Sequence, residues 1–107
     1  MNTNSAYDQR QYNRMLDLLE AYERKHISLG TLIGNLEALL ESLERVSANW
    51  RNSFLREWGV LEEIYAVALD QGATRLEDQD LQLIGDTTAK LKNLVRLKLK
   101  EGETHES

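Results

Sequence analysis

The chain contains no cysteine and no proline. The first absence excludes a thiol nucleophile, a thiolate-bound zinc and any disulfide framework. The second removes the residue that most strongly interrupts helices. No stretch approaches the ~18 consecutive apolar residues of a membrane span. The N-terminal segment MNTNSAYDQRQ has no apolar core of the signal-peptide kind. A cytoplasmic location is the resulting expectation. Also missing are a P-loop, a dinucleotide-binding glycine fingerprint, a nucleophile elbow and a zinc-binding helix. Glu-x-x-His pairs of the di-metal bundle type are absent as well. Neither enzymatic activity nor a metal or other cofactor is therefore expected.

What is present points to helices. Leucine, glutamate, alanine, lysine and arginine are abundant, and all favour helix. A chain of 107 residues is the size of one domain and buries roughly 65% of its unfolded surface on folding, so no metal or disulfide is needed. We expect one helical domain over residues 1–107, with 1–5 and 101–107 as frayed tails. The acids outnumber the bases, 18 to 13, for a net charge of −5. That balance disfavours nucleic acid and anionic lipid and suits a basic partner. It also serves ordinary solubility.

Aromatic residues are few, 7% of the chain, and both tryptophans and the single phenylalanine lie between Trp50 and Trp58. Trp50, Phe54, Trp58, Leu61, Tyr65 and Ala68 share one helical face, and other helices must cover so much aromatic area. This third helix starts at a cap on Ser47 or Asn49 and ends near Gln71-Gly72. Gly59 leaves room for a neighbouring chain or an indole ring.

The first helix runs from about Ala6 to Lys25, with Tyr12, Met15, Leu16, Leu18, Leu19 and Tyr22 inward. His26 follows as a helix-end residue, with Arg24 and Lys25 suited to the negative end of the dipole. Ser28 caps the second helix, where Leu29, Leu32, Ile33, Leu36, Leu39, Leu40 and Leu43 form a heptad-like seam. Gly30 and Gly34 in its first turns predict close approach of another backbone, from helix 1 or helix 3. The fourth helix starts at a Thr74–Glu77 capping box or one turn later, within Glu77–Asp80, and reaches Leu97 or Leu99. Its inner face is Leu81, Ile84, Thr88, Leu91, Leu94 and Val95. Acids open this helix and bases close it. Ala89–Lys100 holds five bases and no acid. Basic amphipathic helices bind membranes or nucleic acid, but the patch lacks aromatics and the whole molecule is acidic. His105 belongs to the polar tail.

Four helices joined by short connections predict an all-α, antiparallel up-down four-helix bundle with helix 3 central. The segment Trp50-Arg51-Asn52-Ser53-Phe54, followed by Trp58-Gly59-Val60-Leu61-Glu62-Glu63-Ile64-Tyr65-Ala66, resembles small helical bacterial proteins found beside secreted toxins. So does the leucine-rich stretch Ser28–Leu43. The resemblance covers Met15 to Val95 and rests mostly on core positions. Such proteins are immunity partners in contact-dependent inhibition and related polymorphic toxin systems. The resemblance implies a cytosolic module that binds a toxin, often a basic nuclease, and transfers no functional residue by itself.

Surface acids are the candidates for such contact: the ridge Glu37, Glu41 and Glu44, together with Glu62, Glu63 and Asp70. Tyr65 is a candidate anchor. The plain alternative for the ridge is a solvated face. A self-associating structural bundle, with a homodimer, is the runner-up. A small-ligand pocket around Trp58 and Tyr65 is the third reading.

Overall fold

The computed structural model describes residues 6–72 and 76–104, with side chains through Glu101. Four helices make up these residues, α1 (Ala6–Glu23), α2 (Leu29–Ser42), α3 (Ala48–Asp70) and α4 (Asp78–Thr104). No strand occurs among them, so the fold is all-α. No helix is long and apolar enough to cross a membrane among the described residues.

Two of the helix starts follow from serine hydroxyls that accept from otherwise unpaired amides. Ser28 Oγ accepts from Thr31 N–H at 3.1 Å, and Ser47 Oγ from Trp50 N–H at 3.2 Å. The choice between Ser47 and Asn49 is thus decided for Ser47. The fourth helix takes the later start, with Leu81 N–H donating to the Glu77 carbonyl at 3.0 Å. Thr74, the first residue of the alternative capping box, lies outside the described residues. The far end of α4 reaches Thr104 instead of stopping at Leu99, so 101–104 are helical rather than tail. A Lys98–Glu101 pair at 3.3 Å supports this extra turn. His105 is outside the described residues.

Two helix ends share one motif. After α3, Gly72 takes φ 66° and donates to the Leu69 carbonyl at 3.0 Å. After α1 the left-handed position falls on Lys25, with φ 64°. Lys25 N–H donates to Tyr22 O at 2.9 Å and His26 N–H to Ala21 O at 2.8 Å, a complete Schellman closure without its usual glycine.

In the core, α1 packs on α2 and α4, and α3 packs on the same two helices. The backbones of the diagonal pairs, α1 with α3 and α2 with α4, stay more than 8 Å apart among the described residues, and α1 meets α3 only through side chains. By backbone packing α3 adjoins two helices, as every other helix does, so it is no more central than the rest. Tyr12, Met15 and Leu19 of α1 meet Leu32, Leu36 and Leu40 of α2, Phe54 and Leu61 of α3, and Ile84, Leu91 and Val95 of α4 in one cluster. Trp50 stacks edge-on to Tyr12, with centroids 5.5 Å apart, and lies 5.3 Å from Phe54. Both indoles also reach across. Trp50 Nε1 donates to Leu94 O of α4 and Trp58 Nε1 to Ile33 O of α2, each at 2.9 Å.

Three expectations about small or apolar positions change. Gly30 faces a side chain and not a backbone, since a methyl there would lie 2.6 Å from the Tyr65 hydroxyl. Methyls at Gly34 or Gly59 would meet nothing within 4 Å, so neither glycine makes room for a neighbour. Leu81 is 49% exposed instead of inward. Helix α1 ends at Glu23 and leaves that part of α4 facing an open depression beside Tyr22 and Ile27.

Two predictions follow from this geometry. Lys25→Gly relieves the left-handed strain and raises stability by about 1 kcal/mol, seen as a higher melting temperature by circular dichroism. Gly34→Ala stabilises by roughly 0.5–1 kcal/mol through helix propensity, whereas Gly30→Ala gains less or destabilises because Tyr65 must move. Replacing Tyr65 by Ala in the Gly30→Ala background restores the missing gain, measured against Tyr65→Ala alone.

Candidate functional site

Polar groups buried in the described fold sit mainly at the start of α1 and the end of α4. Asp8 is fully buried in the first turn of α1, where a carboxylate suits the positive helix end. Its two oxygens accept from successive backbone amides beyond α2, Glu44 N–H at 2.9 Å and Arg45 N–H at 2.8 Å. The carboxylate thus clamps the α2–α3 connection onto α1. Lys98, 7% exposed, lies nearby with Nζ 5.9 Å from the Trp50 ring. The Tyr12 hydroxyl is buried without a hydrogen-bond partner. Burial, then repulsion from Asp8 and Glu101, holds its pKa well above the ordinary 10.0. These groups serve packing and loop closure. Among the described residues, no three histidine, cysteine, aspartate or glutamate side chains converge as a metal site.

A concave surface edged by carboxylates lies elsewhere, between α3 and α4. An open groove of about 370 Å³ runs there, floored by Val60, Ile64, Ala68 and Leu76. Val67, 48% exposed, and Leu83, 46% exposed, project along it. Glu63, Glu77 and Asp80 edge the groove, and no basic residue lines it among the described residues. The sequence reinforces this sign, because residues 57–89 carry eight acids and one base, Arg75. Helix lengths explain why the strip stays open. Only α3 and α4 exceed 20 residues, and α2 has 14, so the shorter pair does not cover this seam.

The acids singled out from the sequence do not form one surface. Glu37, Glu41 and Glu44 are exposed on α2 and just beyond it. Beside Glu41 in the chain, the Leu40 carbonyl accepts from Arg51 Nη1 at 3.5 Å. Glu62, Glu63 and Asp70 are exposed near the opposite end of α3, and only Glu63 lines the groove. Tyr65 is half-buried with its ring end over Gly30, so it is committed to the α2–α3 contact instead of standing free as an anchor. Trp58 is buried with its N–H taken by the Ile33 carbonyl. Sequence reading missed Glu77 and Asp80 as partners of Glu63. The available signal was Val60, Val67 and Leu83, large apolar residues lying off the core stripes.

The basic stretch of α4 is also divided. Lys92 turns toward α1 and pairs with Glu23 at 2.8 Å, and Lys98 turns inward. Lys90, Arg96 and Lys100 are exposed, with Leu97 between them 56% exposed.

Tyr12→Phe removes a buried hydroxyl that has no partner, and should leave stability equal or higher by about 1 kcal/mol in urea unfolding near neutral pH. The folded state holds the Tyr12 proton more tightly than the unfolded chain does. The parent therefore keeps this contribution below pH 10 and loses it as pH rises further, a decline that in Tyr12→Phe is reduced to the part due to Tyr22, whose pKa burial also raises.

No protein-family model matches the chain, and neither the curated proteins nor the solved structures compared with it gave a match.

Proposed function

We propose that this chain is a non-catalytic protein-binding module whose docking surface is the acidic α3–α4 groove. One observation carries the reading. The groove combines half-exposed apolar side chains, Val67 and Leu83, with an edge whose described charged residues, Glu63, Glu77 and Asp80, are all acidic. Apolar area provides the association free energy, and the uniform charge selects a basic partner and speeds encounter. A basic amphipathic segment satisfies both requirements. The helices are arranged in this reading as an antiparallel up-down bundle. Supporting that arrangement, the start of α1 meets the end of α2 through Asp8, and the start of α3 meets the late part of α4 through Trp50.

The resemblance of Ser28–Leu43 and Trp50–Ala66 to immunity proteins gives the partner its class, a basic toxin domain neutralised in the cytoplasm. Neutralisation then consists of occupying the toxin's cationic nucleic-acid cleft with carboxylates. Nucleic acid and membrane are not partners in this reading, since the same acids repel both.

Affinity capture from the source cell's lysate at low and high salt identifies the partner, and titration calorimetry with the purified pair tests the surface. Glu63→Lys with Glu77→Lys is expected to weaken binding at least tenfold, most strongly at low salt. Glu37→Lys, Glu41→Lys and Glu44→Lys together leave affinity within about twofold. The opposite ranking would move the docking surface to the α2 ridge.

A further inference from the structure

The α3–α4 groove has a length and a width as well as a charge. Its α3 wall is Val60, Glu63, Ile64, Val67, Ala68 and Gln71. These positions follow at intervals of one to four and fall on one face of the helix. From Val60 to Gln71 the wall runs about 16 Å at about 1.5 Å per residue, close to three turns. Spread over that length, the volume of about 370 Å³ gives a channel about 5 Å across on average, room for one row of side chains. Glu63 stands on the α3 side of the channel, and Glu77 and Asp80 stand on the α4 side. Carboxylates therefore flank the row on both sides.

What the walls offer to a backbone decides the form of the occupant. Both walls are helices, whose interior amides and carbonyls are bonded within their own turns. No strand edge exists among the described residues for an extended segment to pair with. The backbone of such a segment would meet only water and carboxylates there. A helix satisfies its own backbone and presents side chains alone. Its residues at i, i+3 or i+4, and i+7 make a row that enters the channel against Val67 and Leu83. Lysine or arginine on one flank of that row meets Glu63, and on the other flank Glu77 and Asp80. A helix laid along α3 and α4 also repeats the side-by-side packing these two already share. We propose that the occupant of the groove is a cationic amphipathic α-helix of about three turns, its apolar row in the channel and its basic residues on both rims. The proposal rests on the groove being a docking surface, as argued above, and adds the fold and residue pattern of what docks.

Synthetic peptides of about 18 residues, long enough to hold a helix once docked, test it by titration calorimetry against the full chain at low salt. Two have the same composition of leucine, lysine, alanine and glutamine. One places leucine at helical spacing with lysine on both flanks, and the other alternates leucine with polar residues, which makes one apolar face only when extended. A third keeps the helical pattern with glutamate in place of lysine. The helical lysine peptide should bind at least tenfold tighter than either of the others. Circular dichroism of its mixture with the chain should show more helix than the separate spectra sum to. Glu63→Lys with Glu77→Lys should weaken this binding at least tenfold, and Val67→Ser with Leu83→Ser at least fivefold. All four positions are exposed, and unchanged circular dichroism of each variant separates lost binding from lost fold.

An alternating peptide that binds as tightly as the helical one overturns the proposal and makes the occupant extended. If the groove variants still weaken that binding, the docking surface itself stands. Equal binding of the glutamate peptide, or binding with no gain of helix, also overturns the proposal. So does a helical lysine peptide that fails to bind, and in that case the response of the captured partner to the same groove variants decides the docking surface separately. Binding that ignores both groove variants overturns the two readings together.

Discussion

The two indole N–H groups of α3 hold the arrangement on which everything else depends. A buried indole must find an acceptor, and here each takes a backbone carbonyl of a different neighbouring helix. Trp50 ties α3 to α4 and Trp58 ties it to α2. Apolar packing alone tolerates rotation and sliding of one helix over another, whereas a directional bond at 2.9 Å fixes both. Asp8 plays the matching part for α1. It joins that helix to the α2–α3 connection through two charge-assisted bonds to backbone amides. The three groups together connect all four helices by hydrogen bonds that the hydrophobic cluster then shields from water.

Registration of this kind determines what remains outside. With the inner faces fixed, α3 turns Val60, Ile64 and Val67 toward one flank of α4, where Leu83 and Asp80 meet them. Neither α1 nor α2 lies over that seam. The acids of the α3–α4 turn region collect around it because both flanking segments are rich in them. Five basic residues on the later part of α4 are sorted by the same rotation. Lys92 and Lys98 go to α1 and to the interior, and the rest face water. The polarity of the surface thus follows from the core geometry.

Features that depend on local chemistry were legible in the sequence. Ser28 and Gly72 mark their helix ends because a hydroxyl acceptor or a left-handed backbone is needed within a few residues. The inward stripes of α1, α2 and α3 were legible through their periodicity, and Trp50, Phe54 and Leu61 are buried as that predicts. Features set by distant partners were not. Nothing adjacent to Asp8 announces amides 36 and 37 positions away. Gly30 looked like a site of backbone contact, yet its neighbour is a tyrosine from α3. Leu81 has the spacing of a core residue but stands beyond the end of α1. Lys25 occupies a position where glycine is the usual sign, so the closure there gave no signal. Of the proposed contact residues only Glu63 lies in the groove, because a spacing rule assigns a face without saying which neighbour borders it.

The pairing of the first helix with the last has a consequence for synthesis. Helix α1 is synthesised before α2 and α3, but its α4 neighbour only after both. The nascent chain can assemble α1, α2 and α3 first, with the Asp8 clamp already available. In that interval Trp50 has no Leu94 carbonyl to bind, and the faces of α1 and α3 meant for α4 are wet. A fragment ending at Gln71 therefore leaves an apolar surface open to aggregation. Helix α4 acts as the lid that ends this exposure.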